Sequence, residues 1–330
     1  SEMCIRDRHY WGVWWGMEPF ETYEKKVPRF ASEYGFQGMP TLKTVKSMFS
    51  EKDTLSKNSA IILAHQKHPK GWETINEYMQ RDYVVPTDFV QYNYVSQLLQ
   101  ARGIQLAIEA HRRAKPYNMG SLYWQLNDVW PVTSWSSLDK LGNWKALHYQ
   151  VKRSFENVLI SVEKEENVYK IYIVNDLLKD LKGKAKFSVI DFNGNQHWTN
   201  DKDVTISSNS STKISELTNE ILKGTSSTKA FLQIEFESNG EKYSRNYFFE
   251  KPKDLDLTKP TIKIKKINHN QFEISTNVLA KDVYLLDEKN HFDDNFFDLI
   301  PNESRIITGK NTIKNLKVYS LYDTMNAANQ

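Results

Sequence analysis

Arg29-Phe30-Ala31-Ser32-Glu33-Tyr34-Gly35-Phe36 is a short mixed run ending at a glycine, and it reads as a buried strand with a carboxylate near its end. Downstream, Thr41 to Phe49 reads as a short helix after Pro40. Thr87 stands where an N-cap would start a long helix, in which Tyr92, Val95, Leu99, Leu106 and Ala110 recur at helical spacing. Gly103 weakens the middle of that helix and Lys115-Pro116 ends it. Met119 to Leu126 is the next strand candidate and Trp144 to Phe155 the next helix. Strand, helix, strand, helix implies parallel βα units.

Beyond residue 155 the pattern becomes all-β. Val158 to Val174 alternates β-branched and aromatic residues, Lys186 to Phe192 ends at the turn Asn193-Gly194, and Phe231 to Phe236 and Tyr243 to Phe249 continue the series. A charged linker runs from Pro252 to Pro260. Shorter runs follow at Ile262 to Ile267, Phe272 to Thr276, Asp282 to Leu286, Arg305 to Thr308 and Asn315 to Tyr319. Strands at this spacing suggest two small β-sandwiches. The start, Ser1 to Arg8, has no apolar core of a signal peptide and reads as a junction segment. The expected division is 1–8 junction, 9–155 α/β, 156–253 and 258–330 β-sandwiches.

Bulk composition excludes several classes. The 330 residues are 39% hydrophobic and 26% charged, with 44 basic against 41 acidic side chains and a net charge of +3. The basic residues are scattered, so no nucleic-acid footprint is implied. No apolar run approaches the roughly 20 residues of a membrane span. The one cysteine, Cys4, has no partner for an intrachain disulfide. His65, His68 and His111 lack metal-ligand spacing, and His148 reads as a packed helix residue. Asn209-Ser210-Ser211 and Asn302-Glu303-Ser304 fit the glycosylation pattern, which matters only in a eukaryotic secretory setting. Eight of the nine Trp precede residue 145. Aromatic faces suit the apolar faces of sugar rings, although core packing uses the same residues.

Three clusters carry chemistry. His9-Tyr10-Trp11-Gly12-Val13-Trp14-Trp15-Gly16 is a Trp-rich loop, either a sugar platform or an aromatic plug. Glu33 sits at a strand end, where parallel barrels carry their sites. A carboxylate there can attack an anomeric carbon, though most such Glu are paired or solvated. Leu122 to Pro131 and Ser134 to Asp139 form another strand running into a polar, Trp-rich loop. Its Asn127 and Asp128 either bond sugar hydroxyls or only shape a turn.

Together these clusters resemble glycoside hydrolase family 2, in its β-mannosidase branch. HYWGVWWG, EPFE (Glu18 to Glu21), PRFASEYGFQ, LYWQLNDVWPVTSWSSLD and GNWKALHY look like that branch in order and spacing across residues 9 to 155. The resemblance implies an incomplete (β/α)8 TIM barrel, its last two βα units, followed by two immunoglobulin-like β-sandwich domains. It implies that Glu33 is the nucleophile and that Trp124 walls the subsite of the sugar to be cleaved. Trp11 and Trp15 match loop positions over that pocket, and Asn127, Asp128 and Trp130 match its rim as pocket formers or supports. It implies no cofactor and no metal.

The family's acid/base is a Glu after an Asn on the fourth strand, and no such strand precedes residue 9. A barrel needs about 250 residues, more than residues 9 to 155 offer. A retaining enzyme needs two carboxyl groups about 5–5.5 Å apart, and Glu18, Glu21 and Asp128 have no sequence claim to the second role. The expectation is therefore a retaining exo-β-mannosidase fragment, inactive alone, acting on β-mannosides, without nucleic-acid or membrane partners, from a periplasmic or secreted parent. Apolar faces meant for missing strands should be exposed. The rivals are another family 2 exo-glycosidase (galactosidase, glucuronidase or glucosaminidase type) and a non-catalytic carbohydrate-binding or structural module.

Overall fold

The computed structural model describes residues 7–50 and 55–325; Cys4 and the rest of Ser1 to Arg6 lie outside them. Strand β1 (Asp7–His9) runs parallel to β2 (Phe30–Glu33), with Asp7, Arg8 and His9 opposite Phe30, Ala31 and Glu33. Asp7 and Arg8, counted above with the junction, thus lie in a strand. Ser32 is an extra residue on β2, a bulge just before Glu33. On the other side of β2 runs the segment 119–124. Met119 N–H donates to Arg29 O at 2.9 Å, Leu122 N–H to Ala31 O at 2.8 Å and Trp124 N–H to Tyr34 O at 2.7 Å. The strand expected over Met119 to Leu126 is therefore a parallel ladder that stops at Trp124 and pairs regularly only around Ser121. The bulge in β2 spoils its register.

Five helices precede and flank this segment: α1 (Thr22–Lys25), α2 (Leu42–Lys46), α3 (Ala60–Ala64), α4 (Gly71–Asp82) and α5 (Phe89–Arg113). The cap of α5 is Asp88, not Thr87: its carboxylate accepts from Gln91 N–H at 2.9 Å. Gly103 is there for packing. A Cβ at that position would lie 2.3 Å from the buried Phe20 ring. The last helix of this part, α6 (Ala146–Ser154), packs on α5.

The first sandwich pairs a sheet ordered β3 (Val158–Glu165), β4 (Val168–Asn175), β7 (Ser210–Thr218) with one ordered β6 (Gln196–Ile206), β5 (Leu181–Asp191), β8 (Ala230–Ser238), β9 (Glu241–Phe248). Ile171, Ile173, Phe187, Val189, Leu232 and Phe236 fill its core. The second, smaller sandwich pairs β10 (Ile262–Lys266), β11 (Gln271–Thr276), β14 (Ser304–Thr308) with β13 (Phe297–Leu299), β12 (Ala280–Leu286), β15 (Lys317–Tyr319), and is followed by α7 (Tyr322–Met325). Phe192, Phe231, Leu255, Leu279 and Ile300 form an apolar seam between the sandwiches.

Helix α5 touches all three parts. Its Arg113 bonds Ser161 Oγ on β3 at 2.7 Å and Glu24 on α1 at 2.8 Å. Glu109 accepts from Ser161 Oγ at 2.9 Å and pairs with Arg245 on β9 at 3.1 Å. Tyr94 stacks on Tyr284 of β12 at 5.5 Å. Its other side lies against the parallel strands, where His111 Nδ1 and Tyr34 Oη both meet Ser121 Oγ.

Ser121 and Tyr123 face α5 and the loop at Ser137. By strand alternation Leu122 and Trp124 face the other way. They are 56% and 45% exposed, with Met119, Leu126 and Phe30 exposed beside them in sequence or pairing. Among the described residues no helix is long and apolar enough to cross a membrane.

Candidate active site

The site forms at the C-terminal ends of β1, β2 and the 119–124 segment. Strand pairing sets His9 opposite Glu33, and Tyr10 N–H donates to Glu33 O at 2.7 Å. The Glu33 side chain is 23% exposed. Its Oε2 accepts from Trp11 Nε1–H at 2.9 Å and lies 3.0 Å from His9 Nδ1. No described residue bonds its Oε1.

Gly35 explains why a glycine follows so closely. A Cβ there would fall 2.3 Å from Trp124 O, 3.1 Å from Trp135 Cδ1 and 3.2 Å from Trp11 Cη2. Its bare backbone lets the 119–124 segment and two Trp rings close around the strand that carries Glu33. Trp135 meets Trp11 edge-on at 6.1 Å and the fully buried Trp14 at 5.4 Å. Within the Trp-rich loop, Trp14 is a buried plug, Trp11 bonds Glu33, and Trp15 is exposed and packed on His68 at 4.4 Å.

The 127–130 rim divides in the same way. Asn127 is exposed and its carbonyl accepts from Gln125 Nε2–H at 2.8 Å. Asp128 is buried: its Oδ2 accepts from the hydroxyls of Ser134 and Ser136 (both 2.5 Å), and its Oδ1 takes Lys67 Nζ at 3.3 Å. It is a loop support rather than an open pocket group. Trp130 is partly exposed and leans on His65 at 5.4 Å. The segment 65–68 therefore spans from the Trp130 rim to the Trp15 loop, its backbone bonded to Thr133. Burial, and then the Lys70 charge, pull the His68 imidazole below its usual range. Behind the rim, fully buried Lys145 donates to Gly38 O at 2.8 Å. Burial pulls its ammonium down to about 7, with Asp128 and Asp139 opposing the fall.

Each of the three other acids has polar partners of its own. Glu18 accepts from Tyr10 Oη–H and from Lys26 Nζ at 2.9 Å; those bonds, the Tyr10 one first, hold its carboxyl below the usual range. Glu21 faces Arg102 at 3.7 Å. Asp128 is enclosed as described. No cluster of three metal-ligating side chains exists among the described residues.

His9, Gly35, Trp135 and the 65–68 strap were not singled out from sequence as site residues. His9 had a signal, since it opens the HYWG run, but its role depends on the pairing of β1 with β2. His68 was read only for metal spacing, and its packing between Trp rings follows from the fold.

Residues 167–254 match the model of a mannosidase Ig/CBM-like domain and residues 257–324 that of an Ig-fold domain. The chain is 36% identical to the β-mannosidase of Mus musculus over 46% of this chain and 19% of that protein. It is 25% identical to β-mannosidase B of Emericella nidulans over 96% of this chain and 40% of that protein. It therefore spans less than half the length of these curated relatives. The crystal structure of the β-D-mannosidase from Dictyoglomus thermophilum superposes with a TM-score of 0.86 at 29% identity, over 95% of this chain and 40% of that one. An exo-chitosanase of Amycolatopsis orientalis shares the fold, with a TM-score of 0.68 at 15% identity over 96% and 45%.

Proposed function

We propose that this chain, a β-mannosidase-like region of glycoside hydrolase family 2, carries the nucleophile side of a retaining exo-β-mannosidase. In this reading β1, β2 and the 119–124 segment are part of a (β/α)8 barrel whose C-terminal edge holds the site. Glu33 attacks the anomeric carbon of a terminal β-mannoside and forms a covalent glycosyl-enzyme, which water then hydrolyses. Trp124, with an exposed indole at the strand end, walls the sugar subsite; Trp15 and Trp130 form the rim. The acid/base comes from outside the described residues, and these residues alone do not turn over substrate.

The observation that carries this reading is the state of Glu33: a strand-end carboxylate with one oxygen bonded and the other without a partner among the described residues, set among Trp side chains. The test is Glu33→Gln in the complete enzyme. Turnover should vanish, and so should covalent labelling by a fluorinated mannosyl inhibitor. Labelling that persists in the variant would overturn the assignment. A panel of nitrophenyl glycosides decides the sugar: turnover of the β-mannoside is expected, and preference for the galactoside, glucuronide or glucosaminide would refute it.

A further inference from the structure

We infer that His9 is a positioning residue which, together with Trp11, selects Oε1 of Glu33 as the attacking oxygen and speeds release of the sugar from it. The inference rests on the reading of Glu33 as nucleophile. Among the described residues, both polar contacts of the carboxylate converge on one oxygen: Trp11 Nε1 at 2.9 Å and His9 Nδ1 at 3.0 Å, each to Oε2. At 3.0 Å Nδ1 of His9 lies within donor reach of Oε2, and in the proposed role it carries the proton there. An oxygen engaged by two donors has its lone pairs occupied, whereas Oε1 keeps its own.

The His9 contact is not a by-product of packing. Its side chain is 63% exposed, so little holds it in place apart from its backbone and Glu33. The backbone is fixed by register, since His9 is the residue of β1 opposite Glu33 and the next N–H, of Tyr10, bonds the Glu33 carbonyl. Trp11, by contrast, is held by Trp135 and by the gap at Gly35. One donor is braced by aromatic packing and the other by strand pairing.

The two steps feel these donors differently. In the first, Oε1 bonds the anomeric carbon as the bond to the leaving oxygen breaks; that oxygen keeps the electron pair and takes a proton from the acid. Glu33 becomes a neutral ester, and hydrogen bonds to Oε2 weaken because they are strongest to a full carboxylate. In the second, water bonds the anomeric carbon, gives a proton to the same acid/base, and the electron pair returns to Oε1. The carboxylate charge reappears and the bonds to Oε2 strengthen again. A donor on Oε2 therefore favours the second step over the first.

The test uses the complete enzyme and a dinitrophenyl β-mannoside, a substrate whose good leaving group makes the second step limiting. His9→Leu removes the donor. His9→Asn keeps an N–H at a similar reach. The expected result for His9→Leu is a fall of about tenfold in kcat with a parallel fall in KM, as the glycosyl-enzyme accumulates. His9→Asn should recover most of kcat. An unchanged kcat in His9→Leu overturns the inference. So does equal impairment of both variants, or a loss of kcat/KM accompanied by a lower melting temperature. Absence of mannosidase activity in the unmodified enzyme, or labelling that survives Glu33→Gln, instead overturns the Glu33 reading beneath it.

Discussion

Gly35 and Asp128 illustrate how single residues hold the candidate site together from behind. At Gly35 the obstacle to any side chain is backbone, the carbonyl of Trp124 at 2.3 Å from a would-be Cβ. Gly35→Ala must push the 119–124 segment away from β2, and overpacking of this kind costs about 1–3 kcal/mol. A urea midpoint lowered accordingly, at unchanged slope, is the expected result. Asp128→Ala leaves the buried hydroxyls of Ser134 and Ser136 short of their acceptor, at a cost of about 1–3 kcal/mol. It should also loosen Trp130, seen as a red-shifted and more quenchable tryptophan emission. Glu33 itself was legible as a carboxylate at a strand end, and its proposed role came from the flanking motifs. His9 was not, because strand register, which a linear pattern does not contain, decides that it meets Glu33. Likewise Asp128 could be read equally as a sugar ligand or a support until the fold brought two serine hydroxyls onto one oxygen.

At the scale of elements, α5 and the strands beneath it make two further predictions. Gly103 looked like a weakness in a helix, and on propensity alone Ala would gain about 1 kcal/mol. The Phe20 ring occupies the space that a methyl group would need. Gly103→Ala should therefore destabilise the protein, by about 1 kcal/mol or more after the propensity gain, as read by thermal melting. His111 lies between α5 and the parallel strands, bonded to Ser121 and edge-on to Tyr34 at 5.0 Å. Burial, then the Arg113 charge, depress its imidazole to about 4. The unfolded chain takes up this proton near pH 6.5 and the folded one only near 4, so stability falls as pH drops through that window. The loss is roughly 3 kcal/mol in full, from about 1.4 kcal/mol per pH unit. His111→Gln should flatten this part of the stability profile between pH 6.5 and 4. The long helix and most β runs were legible from periodicity. Strand β6 was not: Thr199-Asn200-Asp201-Lys202-Asp203 is an exposed edge whose charges pair across strands, as Lys184 does with Asp201, and no apolar alternation marks it.

Across the whole molecule, charged residues of α5 fasten it to the first sandwich and to α1, and Tyr94 fastens it to the second sandwich. Arg113 is 5% exposed and reaches both β3 and α1. Burial pushes the Glu24 carboxyl up, and the Arg113 charge opposes that rise. Arg113→Met leaves Glu24 buried without its partner, which costs about 3–5 kcal/mol. The double variant Arg113→Met with Glu24→Gln should recover most of that loss, and calorimetry of the set measures the difference. The change from mixed helices and strands to mainly strands was legible because composition changes near residue 155. The docking of both sandwiches on one helix was not, since Arg113, Glu109 and Tyr94 look in sequence like ordinary polar positions on a helix. That docking has a consequence for exchange with solvent. Residues of α5 are covered by strands on one side and by a sandwich on each of two others. Their amide hydrogens open to deuterium only when all three parts separate. A peptide from the middle of α5, followed by mass spectrometry, should therefore report the stability of the entire chain, while peptides from the exposed edge β6 should exchange through local fraying long before it.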